Sequence, residues 1–128
     1  MSPITSHILD TRLGRPAVGV CVTLERRDAH GSWQFLHRSA TNGDGRVPGL
    51  LSEGGLTPGR HRLTFDTGSY FEEQQVEHFY PCVSIEFEII RADEGEVWLR
   101  ELGFGMNRAF TRERRVNDIG TYARMCGI

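Results

Sequence analysis

Three residues that are far apart in the sequence carry side chains suited to proton transfer and to binding an anion. His7 lies in a short apolar run near the N-terminus, Arg46 follows a glycine-rich turn, and Glu96 begins a late apolar run. The imidazole of a histidine titrates near neutral pH, and a carboxylate can accept and return a proton. A guanidinium stays charged and offers a planar fork that suits carboxylates and amide-rich heterocycles. Together the three could perform acid–base chemistry beside a fixed positive charge.

Each of these residues also has a structural interpretation. A lone histidine in a half-buried strand is more often structural than catalytic, and an arginine that leaves a loop is more often solvated. Trp98 and Arg100 alternate with apolar residues in the run that Glu96 begins, so the three are predicted to share one strand face. A tryptophan between a carboxylate and a guanidinium is not typical of a core face and indicates an interface or a binding site.

The size and charge of the chain narrow the classes of function. Its 128 residues suit one domain with a real core. The formal net charge of −2 provides no basic field, so neither nucleic acid nor an anionic membrane is predicted as a partner. All 15 cationic residues are arginine, which excludes a mechanism through a lysine Schiff base.

The cysteines and the N-terminus do not point to a metal or to secretion. Cys21, Cys82 and Cys126 fit neither the spacing of a zinc site nor a disulfide framework, so we predict three reduced thiols, with no metal or other cofactor. The first residues lack a basic stretch followed by an apolar one, and no run approaches the ~20 apolar residues of a membrane span. A cytoplasmic location is therefore predicted.

The residues of the hypothetical site must be positioned by short strands. Alternation of apolar and polar residues predicts strands near residues 18–25, 33–39, 60–66, 83–89 and 96–102, the last two joined as a hairpin. Ser69, followed by acidic residues and good helix formers, predicts one short helix at about 69–76. Short strands separated by turns, with one helix, predict an all-β fold, an antiparallel β-sandwich.

The strand pattern ends near Asn107, which divides the chain into two predicted parts. Residues 1–107 form the β-sandwich domain, and residues 108–128 form an arginine-rich C-terminal extension. The extension contains five arginines and two acidic residues, Glu113 and Asp118, so its net charge is about +3. Its conformation as helix, strand or disorder is left open.

Five blocks of sequence resemble the transthyretin and 5-hydroxyisourate hydrolase family in their order and spacing, over roughly residues 4–107. They are Ser6-His7-Ile8-Leu9-Asp10-Thr11, Gly14-Arg15-Pro16-Ala17, Asp44-Gly45-Arg46, Leu63-Thr64-Phe65-Asp66-Thr67-Gly68-Ser69-Tyr70-Phe71 and Phe79-Tyr80-Pro81. The resemblance implies a two-sheet, transthyretin-like β-sandwich. It also implies a homotetramer with a central channel and two ligand sites for a small molecule.

The hydrolase branch of this family builds its site from two histidines, an arginine and a C-terminal serine. The resemblance places the first histidine at His7 and the arginine at Arg46. Alignment of the family's His-Tyr-His-Val-Pro-Leu motif on Val97 places the second histidine at Glu96 and the proline at Trp98. Two catalytic positions are therefore kept, and one carries a carboxylate instead of an imidazole.

The C-terminal part departs further from the family pattern. Phe110-Thr111-Arg112 stands near the place of the expected Tyr-Arg-Gly-Ser ending, and the chain continues to Ile128. The terminal serine and its free carboxylate are not found at that place. An added arginine-rich segment of about twenty residues could cover, line or plug the channel mouth near which such chains end.

The resemblance implies hydrolytic ring opening of a cyclic amide in a small nitrogen heterocycle, as in purine catabolism. Such a reaction needs a base for water, a cation for the oxyanion and an acid for the leaving nitrogen. We assign the cation to Arg46, divide the proton transfers between His7 and Glu96, and expect Trp98, Arg100 and Arg112 to bind the substrate. Three alternatives stay open: a non-hydrolytic isomerase or cyclase, for example in a specialised biosynthetic pathway; a ligand carrier like transthyretin; and an inherited scaffold without a site.

Overall fold

The computed structural model describes residues 6–10, 12–50, 57–93, 96–101 and 114–115, with side chains as far as Ile89. These residues form two antiparallel sheets and one short helix. The strands are β1 Leu9–Asp10, β2 Arg15–Pro16, β3 Cys21–Arg27, β4 Trp33–Ala40, β5 Gly59–Phe65, β6 Val83–Asp93, β7 Glu96–Glu101 and β8 Arg114–Arg115, and the helix α1 is Thr67–Glu73. Strands β1 and β2 pair with each other, and the larger sheet has the order β4-β3-β5-β6-β7-β8.

The core lies on one face of the larger sheet, as the alternation predicts. The buried side chains of its central strands are Val22, Leu24, Leu63, Phe65, Phe87 and Ile89. The segments around β1, β2 and the loop before β5 cover this face with Ile8, Ala17, Val20, Val47 and Leu50. Burial of these apolar side chains is the main stabilising contribution. The predicted antiparallel β-sandwich with one short helix is confirmed.

Strand β3 and the helix begin at other residues than predicted, for local physical reasons. Strand β3 begins at Cys21 because Gly19 has a φ of +82° and Val18 is 54% exposed. The helix begins at Thr67, since the carboxylate of Asp66 accepts a hydrogen bond from the backbone N–H of Ser69 at 3.2 Å. Asp66 is therefore the N-cap, and Ser69 lies within the first helical turn.

The carboxylate of Asp10, which is 5% exposed, joins the β1–β2 hairpin to the helix. One oxygen accepts the backbone N–H groups of Arg12 at 3.0 Å and Leu13 at 3.3 Å, which closes the turn, and the other accepts the hydroxyl of Tyr70 at 2.7 Å. The guanidinium of Arg12 donates to the side chain of Gln74 at 2.8 Å. Burial and the bond to Asp10 raise the pKa of Tyr70, so its phenol remains a donor at neutral pH.

The substitution Tyr70→Phe removes one donor from the buried carboxylate of Asp10 and leaves the ring in place. We expect the free energy of unfolding to fall by about 1.5–3 kcal/mol, the usual value of a hydrogen bond to a charged group. Urea unfolding followed by circular dichroism measures this change. The control Tyr80→Phe removes a hydroxyl from a residue that is 45% exposed, and a change of under about 0.5 kcal/mol is expected. Equal midpoints for both variants would contradict the assigned role of Asp10.

Candidate functional site

The fold brings His7 and Arg46 together. They face each other in an isolated antiparallel bridge, and the backbone N–H of Ile8 donates to the carbonyl oxygen of Gly45 at 2.8 Å. Because this bond joins the residues that flank the pair, His7 and Arg46 occupy the position of a non-hydrogen-bonded pair, in which side chains approach most closely. The Cβ atoms of such a pair are typically about 4.5–5.5 Å apart.

The direction of Arg46 is set by Asn42, four residues earlier. The side-chain oxygen of Asn42 accepts the backbone N–H groups of Asp44 at 3.0 Å and Arg46 at 3.1 Å. The backbone N–H of Asn42 donates in turn to the carbonyl oxygen of Arg46 at 2.8 Å. The sharp turn predicted at this place is confirmed, and it presents Arg46 to His7 in one defined register.

Gly45 allows the turn to lie against the first strand. Its φ is +74°, in the left-handed region that favours glycine. A Cβ atom at this position would overlap the carbonyl oxygen of Ile8 and would lie 3.1 Å from the Cβ of Pro16. The absence of a side chain at Gly45 is therefore a condition for the approach of Arg46 to His7.

The two side chains differ in their exposure to solvent. His7 is half-buried, whereas Arg46 is exposed. In residues 6–50 and 57–89, no carboxylate lies within ion-pair distance of Arg46. An imidazole partly shielded from water therefore stands beside a guanidinium that a ligand can reach. This arrangement can exchange a proton and hold a negative charge in one small region.

Residues that support the site were not singled out from the sequence. Asp10 anchors β1 three residues after His7, and Asn42 holds the turn before Arg46. The signal that could have identified both is the tendency of Asp and Asn to accept hydrogen bonds from backbone N–H groups two to four residues later. Neither residue contributes a reacting group, but each determines the position of one.

The other predicted site residues belong to strand β7 or to the extension. In the backbone register, Glu96 pairs with Asp93, Trp98 with Arg91, and Arg100 with Glu88. The side chains of β7 and the whole of Arg112 lie outside the described residues. The meeting of Glu96, Trp98 and Arg100 with the His7–Arg46 pair stays a prediction, as does the role of Arg112.

Two residues of the predicted extension return to the sheet. Arg114 pairs with Leu99 and Arg115 pairs with Trp98, so that β8 lies beside β7. The sequence does not decide between helix, strand and disorder for the extension, and in the structure Arg114 and Arg115 form a strand. The backbone therefore passes next to the strand that carries Trp98.

The described residues also bear on metals, thiols and membrane spans. Cys21 and Cys82 are free, as predicted, while Cys126 lies outside the described residues. Within the described ranges, no group of three or more His, Cys, Asp or Glu side chains could hold a metal ion. The helix found there is too short to cross a bilayer, and no described helix is long and apolar enough to do so.

Comparison with known proteins adds independent information. The model of the HIUase/Transthyretin family matches residues 4–100. A 5-hydroxyisourate hydrolase from Mus musculus is 46% identical over 91 residues, which cover 70% of this chain and 77% of that protein. A 5-hydroxyisourate hydrolase from Salmonella dublin is 40% identical over 91 residues, which cover 71% of this chain and 66% of that protein.

A solved structure supports the fold. Transthyretin from Sparus aurata superposes with a TM-score of 0.72 at 24% sequence identity, covering 77% of this chain and 84% of that chain. The region matched by the family model contains the β-sandwich, the His7–Arg46 bridge and strand β7 as far as Arg100. The chain therefore belongs to the HIUase/Transthyretin family.

Proposed function

We propose that this chain is a hydrolase that opens the ring of a small cyclic amide of the purine-degradation type. The observation that carries the proposal is the His7–Arg46 bridge, in which a half-buried histidine is paired with an exposed arginine. The relatives from Mus musculus and Salmonella dublin are 5-hydroxyisourate hydrolases, which supports the reaction class. 5-Hydroxyisourate is therefore the first substrate to test.

The chemistry requires water to attack a carbonyl carbon while charge develops on its oxygen. His7 would deprotonate the water, since a neutral imidazole is a suitable base near pH 7. Arg46 would hold the oxyanion, because its exposed guanidinium carries a permanent charge beside the base. A proton must then reach the leaving nitrogen, and we assign this step to Glu96.

Glu96 differs from the imidazole that the resemblance would place there. A glutamate has an ordinary pKa of about 4.3, against about 6.5 for histidine, so it is a weaker base at neutral pH. A buried environment would raise the pKa of the carboxyl group and make it a proton donor. We propose that Glu96 shares the proton transfers with His7 in this way.

The substrate-binding residues would come from β7 and from the extension. Trp98 offers a flat face on which a heterocycle can stack, and Arg100 and Arg112 can bind carbonyl or carboxylate oxygens. The pairing of Arg115 with Trp98 supports an extension that passes beside this region. We place the site in the central channel of a homotetramer, as the family resemblance implies.

The exchange of an imidazole for Glu96 supports a second candidate function. A His–Glu pair can move a proton from one atom of a ligand to another without adding water, which is isomerisation or cyclisation. The same channel could also carry a ligand without catalysis. These possibilities differ from hydrolysis in whether water enters the product.

The variants His7→Ala and Arg46→Ala test the carrying observation. We expect losses of about 10²–10⁴-fold in turnover for His7→Ala and about 10²–10³-fold for Arg46→Ala, the usual range for a proton-transfer group and an oxyanion donor. The measurement is the ultraviolet-monitored decay of freshly generated 5-hydroxyisourate. The control Arg38→Ala changes an exposed arginine on β4 and should leave the rate unchanged. Full activity in His7→Ala, with an intact assembly by size-exclusion chromatography, would contradict the proposal.

Two glycines in the same turn provide a matched pair of variants. Gly45→Ala introduces a Cβ that overlaps Ile8 and adopts an unfavourable φ, whereas Gly43→Ala meets open space at an ordinary φ. Since the overlap must displace Arg46 from His7, we expect Gly45→Ala to lower kcat at least about tenfold and to destabilise the fold by about 1–3 kcal/mol. Gly43→Ala should do neither. Equal kcat values for the two variants would contradict this prediction, because turnover would then not depend on the geometry of the His7–Arg46 bridge.

Substitution of Glu96 distinguishes the candidate functions. Glu96→His restores an imidazole with a pKa near neutrality, so we expect faster decay of 5-hydroxyisourate than with the unaltered chain. Glu96→Gln keeps the shape but cannot transfer a proton, and it should be slower. If the unaltered chain does not accelerate the decay of 5-hydroxyisourate and Glu96→His does, the isomerase or cyclase function is favoured. Equal rates for the unaltered chain, Glu96→His and Glu96→Gln would contradict the proposed role of Glu96 in catalysis.

A further inference from the structure

An arginine and a histidine occupy core-facing positions at one end of the larger sheet. Arg26 continues the inward positions of Val22 and Leu24 on β3, and His61 precedes the inward Leu63 on β5. The two residues are directly opposite in the β3–β5 register. His61 is 1% exposed, so its ring is removed from water.

The contacts of His61 define which of its nitrogens carries a hydrogen. Its Nδ1 lies 2.9 Å from the carbonyl oxygen of Gly59, which can only accept, so Nδ1 donates. The Nε2 atom of the neutral ring is then a free acceptor, and it has no hydrogen-bond partner among the described residues. One face of the His61 ring stacks on the ring of Phe87, with the ring centroids 5.7 Å apart and the ring planes at 18°.

Arg26 is the charged group that faces His61 in the described structure. Its Nε is buried without a hydrogen-bond partner among the described residues, and one terminal nitrogen reaches the carbonyl of Pro58 only at 3.5 Å. Strand β6 contributes the apolar Phe87 on the opposite side of His61, and Gly59 precedes it on β5. Burial lowers the pKa of His61, and the nearby positive charge of Arg26 lowers it further, outweighing the bond to Gly59.

We propose that Arg26 and His61 form an acid-sensitive pair that loosens the β3–β5 end of the sandwich when His61 takes up a proton. Protonation places a hydrogen on Nε2, for which the described structure offers no acceptor, and it sets a second positive charge, on a ring removed from water, opposite Arg26. A neutral His61 ring is not repelled by the charge of Arg26, whereas a protonated ring is. The pair lies outside the proposed site, so the inference is independent of the proposed function.

The direction of the pH dependence follows from the lowered pKa. The unfolded chain takes up a proton at His61 near its ordinary value of 6.5, before the folded chain does. The stability contributed by the neutral ring is therefore complete above about pH 6.5 and is lost as the pH falls towards the folded-state pKa. Within that window, the unfolding equilibrium constant rises by a factor that approaches ten per pH unit, the slope for one proton.

The test compares urea unfolding of the full chain at pH 7.5, 6.5 and 5.5, at one protomer concentration because assembly contributes to stability. His61→Phe keeps a ring on Phe87 and cannot be protonated, so it should lose one proton's worth of slope relative to the unaltered chain. Arg26→Met removes the opposing charge and should make the slope shallower. The control His30→Gln changes an exposed histidine in the β3–β4 turn and should keep the slope. An unchanged slope in His61→Phe would overturn the proposal.

Nitrogen-15 NMR of the histidine rings in the unaltered chain provides a second measurement that does not depend on a variant folding. We expect the His61 ring to carry its hydrogen on Nδ1 at pH 7.5 and to titrate below the ordinary histidine value of 6.5. A hydrogen on Nε2 at neutral pH, or titration of His61 at or above pH 6.5, would overturn the proposal.

Discussion

The hydrogen bond between the backbone N–H of Ile8 and the carbonyl oxygen of Gly45 is the contact on which the proposed site depends. It joins the first strand to a turn that lies far away in the sequence, at 2.8 Å. The carbonyl of Ile8 accepts in turn from the N–H of Ala17 at 3.0 Å, so the same short segment is held from two sides. Loss of the Ile8–Gly45 bond would remove the described backbone hydrogen bond that holds His7 opposite Arg46.

The arginines of this chain perform different tasks according to their surroundings. On the outer face of the larger sheet, Arg62 donates to Glu25 at 2.8 and 3.0 Å and lies 4.3 Å from the ring centre of Trp33. Its charge is neutralised within the sheet. Arg46 is exposed beside His7, and Arg26 points towards the core. The roles that we propose for these guanidinium groups therefore differ with the acceptors that surround them.

Membership of the HIUase/Transthyretin family establishes the fold more firmly than the reaction. The family contains hydrolases and transthyretins, which share one sandwich, so the fold by itself does not select an activity. The proposed catalysis rests on His7 and Arg46, which the fold pairs in one backbone bridge. Glu96 and Trp98 are the two residues of the proposed site that differ from the histidine and proline of the family motif.

The sequence by itself determined the local features of this protein. Alternation with a period of two predicted the central strands and the inward side chains Leu63 and Phe65, because this pattern is a property of a single strand. The run from Asn42 to Gly45 predicted a sharp turn, because asparagine, aspartate and glycine favour turns through their own local conformations. Family motifs identified His7 and Arg46 as a pair, although the residues between them do not reveal why they meet.

Only the tertiary structure decided the contacts that cross between segments. Asp66 caps the helix because β5 ends beside it, and Asp10 holds the helix through Tyr70, sixty residues away. Arg26 lies just beyond the predicted strand 18–25 and His61 lies at the start of the predicted strand 60–66, so only the β3–β5 register showed that the two residues are paired. Register and close approach depend on which backbone atoms meet across the sandwich, and a local pattern of residues does not contain that information.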